Sequence, residues 1–172
     1  MTTTWTSEDG EPVDKKISII GWLLVMVRGA LIILVITTGL VLKLFFRVFE
    51  KPMFRNRRPL TPYITIFVSR ISLYLLSIPI KRFGTPFEGS GALVANHSSW
   101  LDIFALNSGH RLYFVSKSEV AKWPGIGLLA KATGTLFIRR ESKEAIAQKK
   151  LFEQRIKMGH TLLFFPEGTS TD

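Results

Sequence analysis

The sequence predicts an α/β layered domain preceded by membrane-embedded helices, and three features predict it. Two long apolar runs, 17–42 and 63–80, fill much of the first half of the chain. After Lys81 the pattern changes to short β-rich apolar runs alternating with helical stretches, the signature of an α/β layered fold. Finally, 172 residues with 47% hydrophobic content suit one domain plus a membrane segment. The chain therefore divides into a polar N-terminal tail at 1–16, membrane-embedded helices with a basic interfacial linker at 17–80, and the layered domain at 81–172.

The tail carries Glu8, Asp9, Glu11 and Asp14 and lacks the basic start and small-residue cleavage site of a secretory signal. The run 17–42 is long enough to cross a hydrocarbon core of roughly 30 Å. Arg28 near its middle costs about 2.5–3.5 kcal/mol on insertion scales unless it snorkels or finds a partner, so this helix is expected to tilt or re-enter. Residues 43–61 hold Lys43, Arg47, Lys51, Arg55, Arg57 and Arg58 against the single acid Glu50, with phenylalanines between them. This pattern predicts an interfacial stretch on the cytoplasmic side, touching anionic headgroups. The run 63–80 follows Pro62 and is interrupted by Arg70 and Pro79, with Thr65, Ser69 and Ser72 spaced for helix packing. If both runs spanned, the layered domain would face away from the cytoplasm, so the second helix is expected not to cross.

In the layered domain, 92–95, 113–116, 136–138 and 162–165 are predicted strands, and 98–106, 120–132 and 142–158 predicted helices or helix-containing connections. Gly159 follows the last helix as a left-handed cap. The formal charge of +10 calls for an acidic partner. Nucleic acid fits poorly, because the basic cluster lies between two lipid-compatible runs. No cysteine is present, which excludes disulfides, thiolate metal sites and a cysteine nucleophile. No metal centre is expected.

Three clusters can carry chemistry. Asn96-His97-Ser98-Ser99-Trp100-Leu101-Asp102 follows the first strand, at a strand end where α/β folds put their sites. His97 and Asp102 are five apart, about 140° around a helix, so His97 must sit in the turn if Asp102 is helical. With Ser98 or Ser99 as N-cap, the carboxylate can reach back to one ring nitrogen and leave the other to accept a proton. The plainer alternative is a turn histidine followed by an acid at a helix start. A serine hydrolase using Ser98 or Ser99 is a third, although no Gly-x-Ser-x-Gly elbow is present. The second cluster runs from Gly134 to Arg139 and Arg140, where two guanidinium groups at a strand end can clamp an anion or simply be solvated. In the third, Phe165-Pro166-Glu167-Gly168-Thr169 turns tightly after a strand and presents a carboxylate.

In this order and spacing the three clusters resemble the glycerolipid acyltransferase family, typified by the lysophosphatidic acid acyltransferases, with blocks Asn-His-x₄-Asp, Gly-x-x-Phe-Ile-x-Arg and Phe-Pro-Glu-Gly-Thr-Arg. The segment 114–119 and Trp123-Pro124-Gly125 also look like that family. The resemblance implies a layered acyltransferase domain in which His97 is the catalytic base and Asp102 its orienter. Asn96, Gly134, Arg139, Arg140, Glu167, Gly168 and Thr169 would then surround the acceptor. It further implies a lysolipid acceptor, lysophosphatidic acid or lyso-ornithine lipid, an acyl-ACP or acyl-CoA donor, and no cofactor or metal. Arg139 stands where the family often has an acid, and Ser170 replaces the arginine that usually follows Glu-Gly-Thr. The family continues through further strands and a fourth, proline-containing block, whereas this chain stops at Asp172. The sheet is therefore expected to be incomplete, and the fragment is expected to partition with membranes but show little or no activity; the alternative is a noncatalytic module that only binds anionic lipid through 43–58.

Overall fold

The computed structural model describes residues 17–139 and 141–166. Its first element, α1, runs unbroken from Ile19–Phe54 and is long and apolar enough to cross a membrane. The Ser18 side chain caps its start by accepting the Gly21 N–H at 3.1 Å. The backbone stays helical past exposed Arg28 and through 43–54. The first part of the basic stretch is thus the continuation of the apolar helix and not a separate linker. The helix stops two residues after Pro52, where Arg55 takes a positive φ of 52°.

Burial explains why those charges did not end it. Lys43 is only 5% exposed and donates to Thr65 Oγ1. Glu50 is 3% exposed and accepts from the Leu60 N–H at 2.8 Å, the Thr61 N–H at 3.2 Å and Thr61 Oγ1 at 2.7 Å. Its carboxylate therefore caps the start of α2 (Thr61–Leu75), satisfying amides that a helix N-terminus leaves open. Arg47 is held by Glu50 and by the carbonyls of Arg55 and Arg57. With fifteen residues, about 22 Å, α2 is shorter than a hydrocarbon core. It lies along α1, with Ser69 and Ser72 buried. Gly39 permits this approach, since a Cβ there would fall 2.3 Å from Val68 Cγ2.

The layered domain contains β1 (Gly91–Val94), α3 (Leu101–Asn107), β2 (Leu112–Lys117), α4 (Ile126–Thr133), β3 (Leu136–Ile138), α5 (Ala145–Lys157) and β4 (Thr161–Phe164). Short 3₁₀ turns at Ser118–Lys122 and Ser142–Glu144 precede α4 and α5. The predicted helix over 120–132 is thus broken at Trp123-Pro124-Gly125, because Pro124 cannot supply an N–H to a continuing helix. Gly159 sits beyond α5 at φ 86°, as the helix stop signal requires. All pairings are parallel, in the order β1-β4-β2-β3.

Residues alternating along the strands feed two cores. Tyr113, Val115, Leu136 and Leu162 meet Phe152 and Ile156 of α5 on one face. On the other, Leu112, Phe114 and Leu163 meet Leu106 of α3 and Phe165. The α1–α2 pair joins that second side: the Arg70 guanidinium of α2 donates to the carbonyl of Ser108, which ends α3.

Candidate active site

Beyond β1 the chain keeps one more rung, with the Ala95 N–H donating to the Phe164 carbonyl at 3.1 Å, and then turns. The following turn places His97 and Asp102 together, as their spacing predicts. Asp102 occupies the first turn of α3, and its carboxylate folds back over the residues that precede the helix. One oxygen, Oδ2, accepts from His97 Nδ1 at 3.0 Å and from the backbone N–H groups of Ser98 and Ser99, both at 2.9 Å. Burial raises the Asp102 pKa, but the bonds from Ser99, His97 and Ser98 outweigh it and hold the carboxyl below its ordinary value. An ionised carboxylate can only accept, so the His97 proton lies on Nδ1 and the acceptor lone pair on Nε2.

The helix boundary differs in detail from the expectation. Trp100 is the N-cap, without a side-chain cap bond, and Ser99 Oγ accepts from the Leu101 N–H at 3.2 Å. Ser99 thus shapes the turn through both its backbone and its hydroxyl.

The sequence did not mark Phe165 as a site residue, although it stands in the third cluster. Its ring stacks on His97, with centroids 4.1 Å apart and planes at 17°, and also stacks on Phe114. Because β4 pairs with β1, the residue after β4 arrives beside the turn after β1. This pairing brings Phe165, which opens the third cluster, to the first. Strand adjacency was the missing information.

An apolar pocket of about 420 Å³ lies on this side of the sheet, within the size range of small-ligand sites. Trp100 and Val120 line it toward the carboxyl edge of the strands, and Thr133 and Thr135 toward the amino edge. Ile36, Leu40 and Lys43 of α1 and Ile64 and Val68 of α2 supply much of its wall. The helices predicted only to hold the domain at a membrane therefore also wall a cavity whose lining includes Trp100, three residues after His97.

The remaining candidates are dispersed. Asn96 is exposed on the same edge as His97. Arg139 follows β3, 64% exposed, with Nη1 3.6 Å from Glu144 Oε1. Gly134 lies at the opposite edge of the sheet, ending α4 at φ 86°, where a Cβ would come within 2.9 Å of the Arg58 guanidinium. A backbone and packing requirement accounts for this glycine. Arg140, Glu167, Gly168, Thr169 and Ser170 lie outside the described residues.

A parallel α/β sheet carrying a His-x₄-Asp pair at a strand end, with Trp100 of the same turn lining an apolar pocket, defines the class. The acyltransferase family model matches residues 80–172, and the chain belongs to that family. A lyso-ornithine lipid O-acyltransferase of Rhodobacter capsulatus is 52% identical over 172 residues, which is all of this chain and 62% of that protein. A lyso-ornithine lipid O-acyltransferase of Pseudomonas aeruginosa is 47% identical over 79 residues, 46% of this chain and 31% of that protein. A 1-acyl-sn-glycerol-3-phosphate acyltransferase of Neisseria meningitidis is 36% identical over 88 residues, 50% of this chain and 34% of that protein. The chain thus spans less than two thirds of the length of these curated relatives. No solved structure matches it.

Proposed function

We propose that the protein transfers a fatty acyl group from acyl-ACP or acyl-CoA to the hydroxyl of a lysolipid at a membrane surface. The observation that carries this reading is the His97–Asp102 pair, 3.0 Å apart, in a turn whose Trp100 lines an apolar pocket. His97 Nε2 takes the proton of the acceptor hydroxyl as its oxygen attacks the thioester carbonyl. The C–S bond then breaks, and the imidazolium returns the proton to the departing thiolate, leaving an ester and a free thiol. Asp102 holds the ring in the required tautomer and offsets the positive charge it gains. The pocket takes the acyl chain, whose burial on apolar walls favours binding.

The exposed apolar length of α1 supports membrane attachment. Lys51, Arg55 and Arg57, exposed at its end, support a cytoplasmic placement of the catalytic domain, where thioester carriers are at hand. Lyso-ornithine lipid is the favoured acceptor. The relative similar along the whole chain bears that name, and Ser170 cannot form the forked bonds with which arginine reads a phosphate monoester. A competition assay decides it, with the full-length protein, one labelled acyl thioester, and lyso-ornithine lipid and lysophosphatidic acid together. Lyso-ornithine lipid should be consumed first, and Ser170→Arg should move the preference toward lysophosphatidic acid. An unmodified enzyme preferring lysophosphatidic acid by more than about tenfold would overturn the acceptor assignment; transfer to neither would overturn the function.

A further inference from the structure

A second cavity, of about 540 Å³, opens at the amino ends of the strands, across the sheet from His97. Arg57 and Arg58, from the turn after α1, line it together with Arg111 before β2 and His160 before β4. Positive charge is crowded here. Burial pushes the Arg58 pKa down, and Arg47 and Arg155 push it further. Glu88 is the acid in the lining, while Glu50, the other nearby carboxylate, is engaged by Arg47, Leu60 and Thr61.

The unmet hydrogen bonds are an independent sign. His160 is 4% exposed and stacks on Tyr113, with Arg155 Nη1 3.4 Å from its Nδ1. A guanidinium only donates, so Nδ1 accepts and the ring proton sits on Nε2. Among the described residues neither His160 Nε2 nor Arg58 Nε has a hydrogen-bond partner, although both are buried. Donors left without acceptors in a buried site are costly, and a bound oxyanion supplies what they lack.

We propose that this cleft binds the phosphate of an anionic phospholipid headgroup, at a site separate from the acyl-transfer centre. The position of the cleft favours a lipid over a soluble anion. Phe54, the last residue of α1, and Phe87 stand in its lining while 42% and 47% exposed, and Met53 beside it is 74% exposed. Acyl chains would follow this apolar rim along α1, with the phosphate turned inward to Arg58, Arg111 and His160. Forked, charge-assisted bonds from guanidinium groups suit that phosphate.

Calorimetry on the full-length protein in phosphatidylcholine nanodiscs tests this, with dihexanoyl phosphatidylglycerol and inorganic phosphate as separate probes. Phosphatidylglycerol should bind saturably. Arg111→Gln, at an exposed position, should weaken it by about tenfold without lowering Tm, as should His160→Phe, which keeps a ring on Tyr113 but removes the Nε2 donor. Lys51→Gln, also exposed but outside the cleft, should leave it unchanged. Equal weakening by Lys51→Gln would reduce the effect to diffuse charge and overturn the site. Saturable binding of inorganic phosphate without phosphatidylglycerol would overturn the lipid assignment, and binding of neither probe would overturn the proposal.

Discussion

His97 and His160 stand at opposite edges of one sheet and share a packing geometry. Each ring lies 4.1 Å from an aromatic neighbour, at 17° to Phe165 and 21° to Tyr113. They differ in what faces Nδ1. For His97 it is the Asp102 carboxylate at 3.0 Å, and for His160 the Arg155 guanidinium at 3.4 Å. A carboxylate fixes the proton on Nδ1 and stabilises a ring that becomes positive; a guanidinium fixes the proton on Nε2 and opposes a second charge. Stacking alone therefore does not define a site, and the charge of the orienting partner separates a ring whose Nε2 can accept a proton from one whose Nε2 donates.

The most direct way to break that contrast is to remove the base. His97→Ala should lower acyl transfer by the full-length enzyme by at least about 10², the scale of a positioned general base. Asp102→Asn should also be strongly impaired, because an amide no longer enforces the tautomer. Near-normal turnover by His97→Ala would show that the carboxylate partner confers no catalytic role.

A second test concerns the apolar pocket between the α1–α2 pair and the sheet. Gly39→Leu would press into Val68 and the pocket wall, a kind of overpacking that costs about 1–3 kcal/mol. Relative kcat/KM should fall several-fold more for long acyl chains than for short ones. A uniform loss across chain lengths would detach the pocket from the acyl group.

The smallest effect concerns His160. Its pKa is pushed down from 6.5 to about 4, by burial first and then by Arg155, Arg58, Arg111 and Arg47. The unfolded chain takes up a proton near pH 6.5, while the folded chain resists until about pH 4. This contribution to stability is therefore intact above about pH 6.5, is lost as pH falls toward 4, and changes no further below. Thermal unfolding at about pH 7 and about pH 4.5 should show a smaller acid-induced drop in Tm for His160→Phe than for the parent. An identical drop would mean that His160 protonates as easily folded as unfolded.

The strands were legible to within a residue or two because they are written as short continuous apolar runs, as suits β2 and β4, buried along most of their length, although Val94 of β1 stays 72% exposed. Residues 136–138 matched outright, and 162–165 became Thr161–Phe164. The His97–Asp102 contact was legible because its partners are only five residues apart, His97 in the turn and Asp102 in the first turn of α3. What local pattern cannot carry is adjacency between distant segments. Lys43 and Glu50 read as charges at an interface, yet their partners Thr65 and Thr61 lie on the next helix. Gly134 read as part of the acceptor region by resemblance, whereas a left-handed helix end and the approach of Arg58 account for it. Phe165 gained its place only through the β1–β4 pairing.

The position of β4 also bears on how the molecule is made. Among the described residues it is the last strand along the chain and lies inside the sheet, with Gly91 of β1 and Leu112 of β2 both opposite Thr161. During synthesis α1 emerges first, but β1 must wait for the rest of the described chain before it gains its neighbour. Such long-range parallel pairing is slow and leaves apolar surface uncovered meanwhile. The ring that stacks on His97 follows β4 directly, so the nascent chain can meet a membrane well before His97 gains its stacking partner.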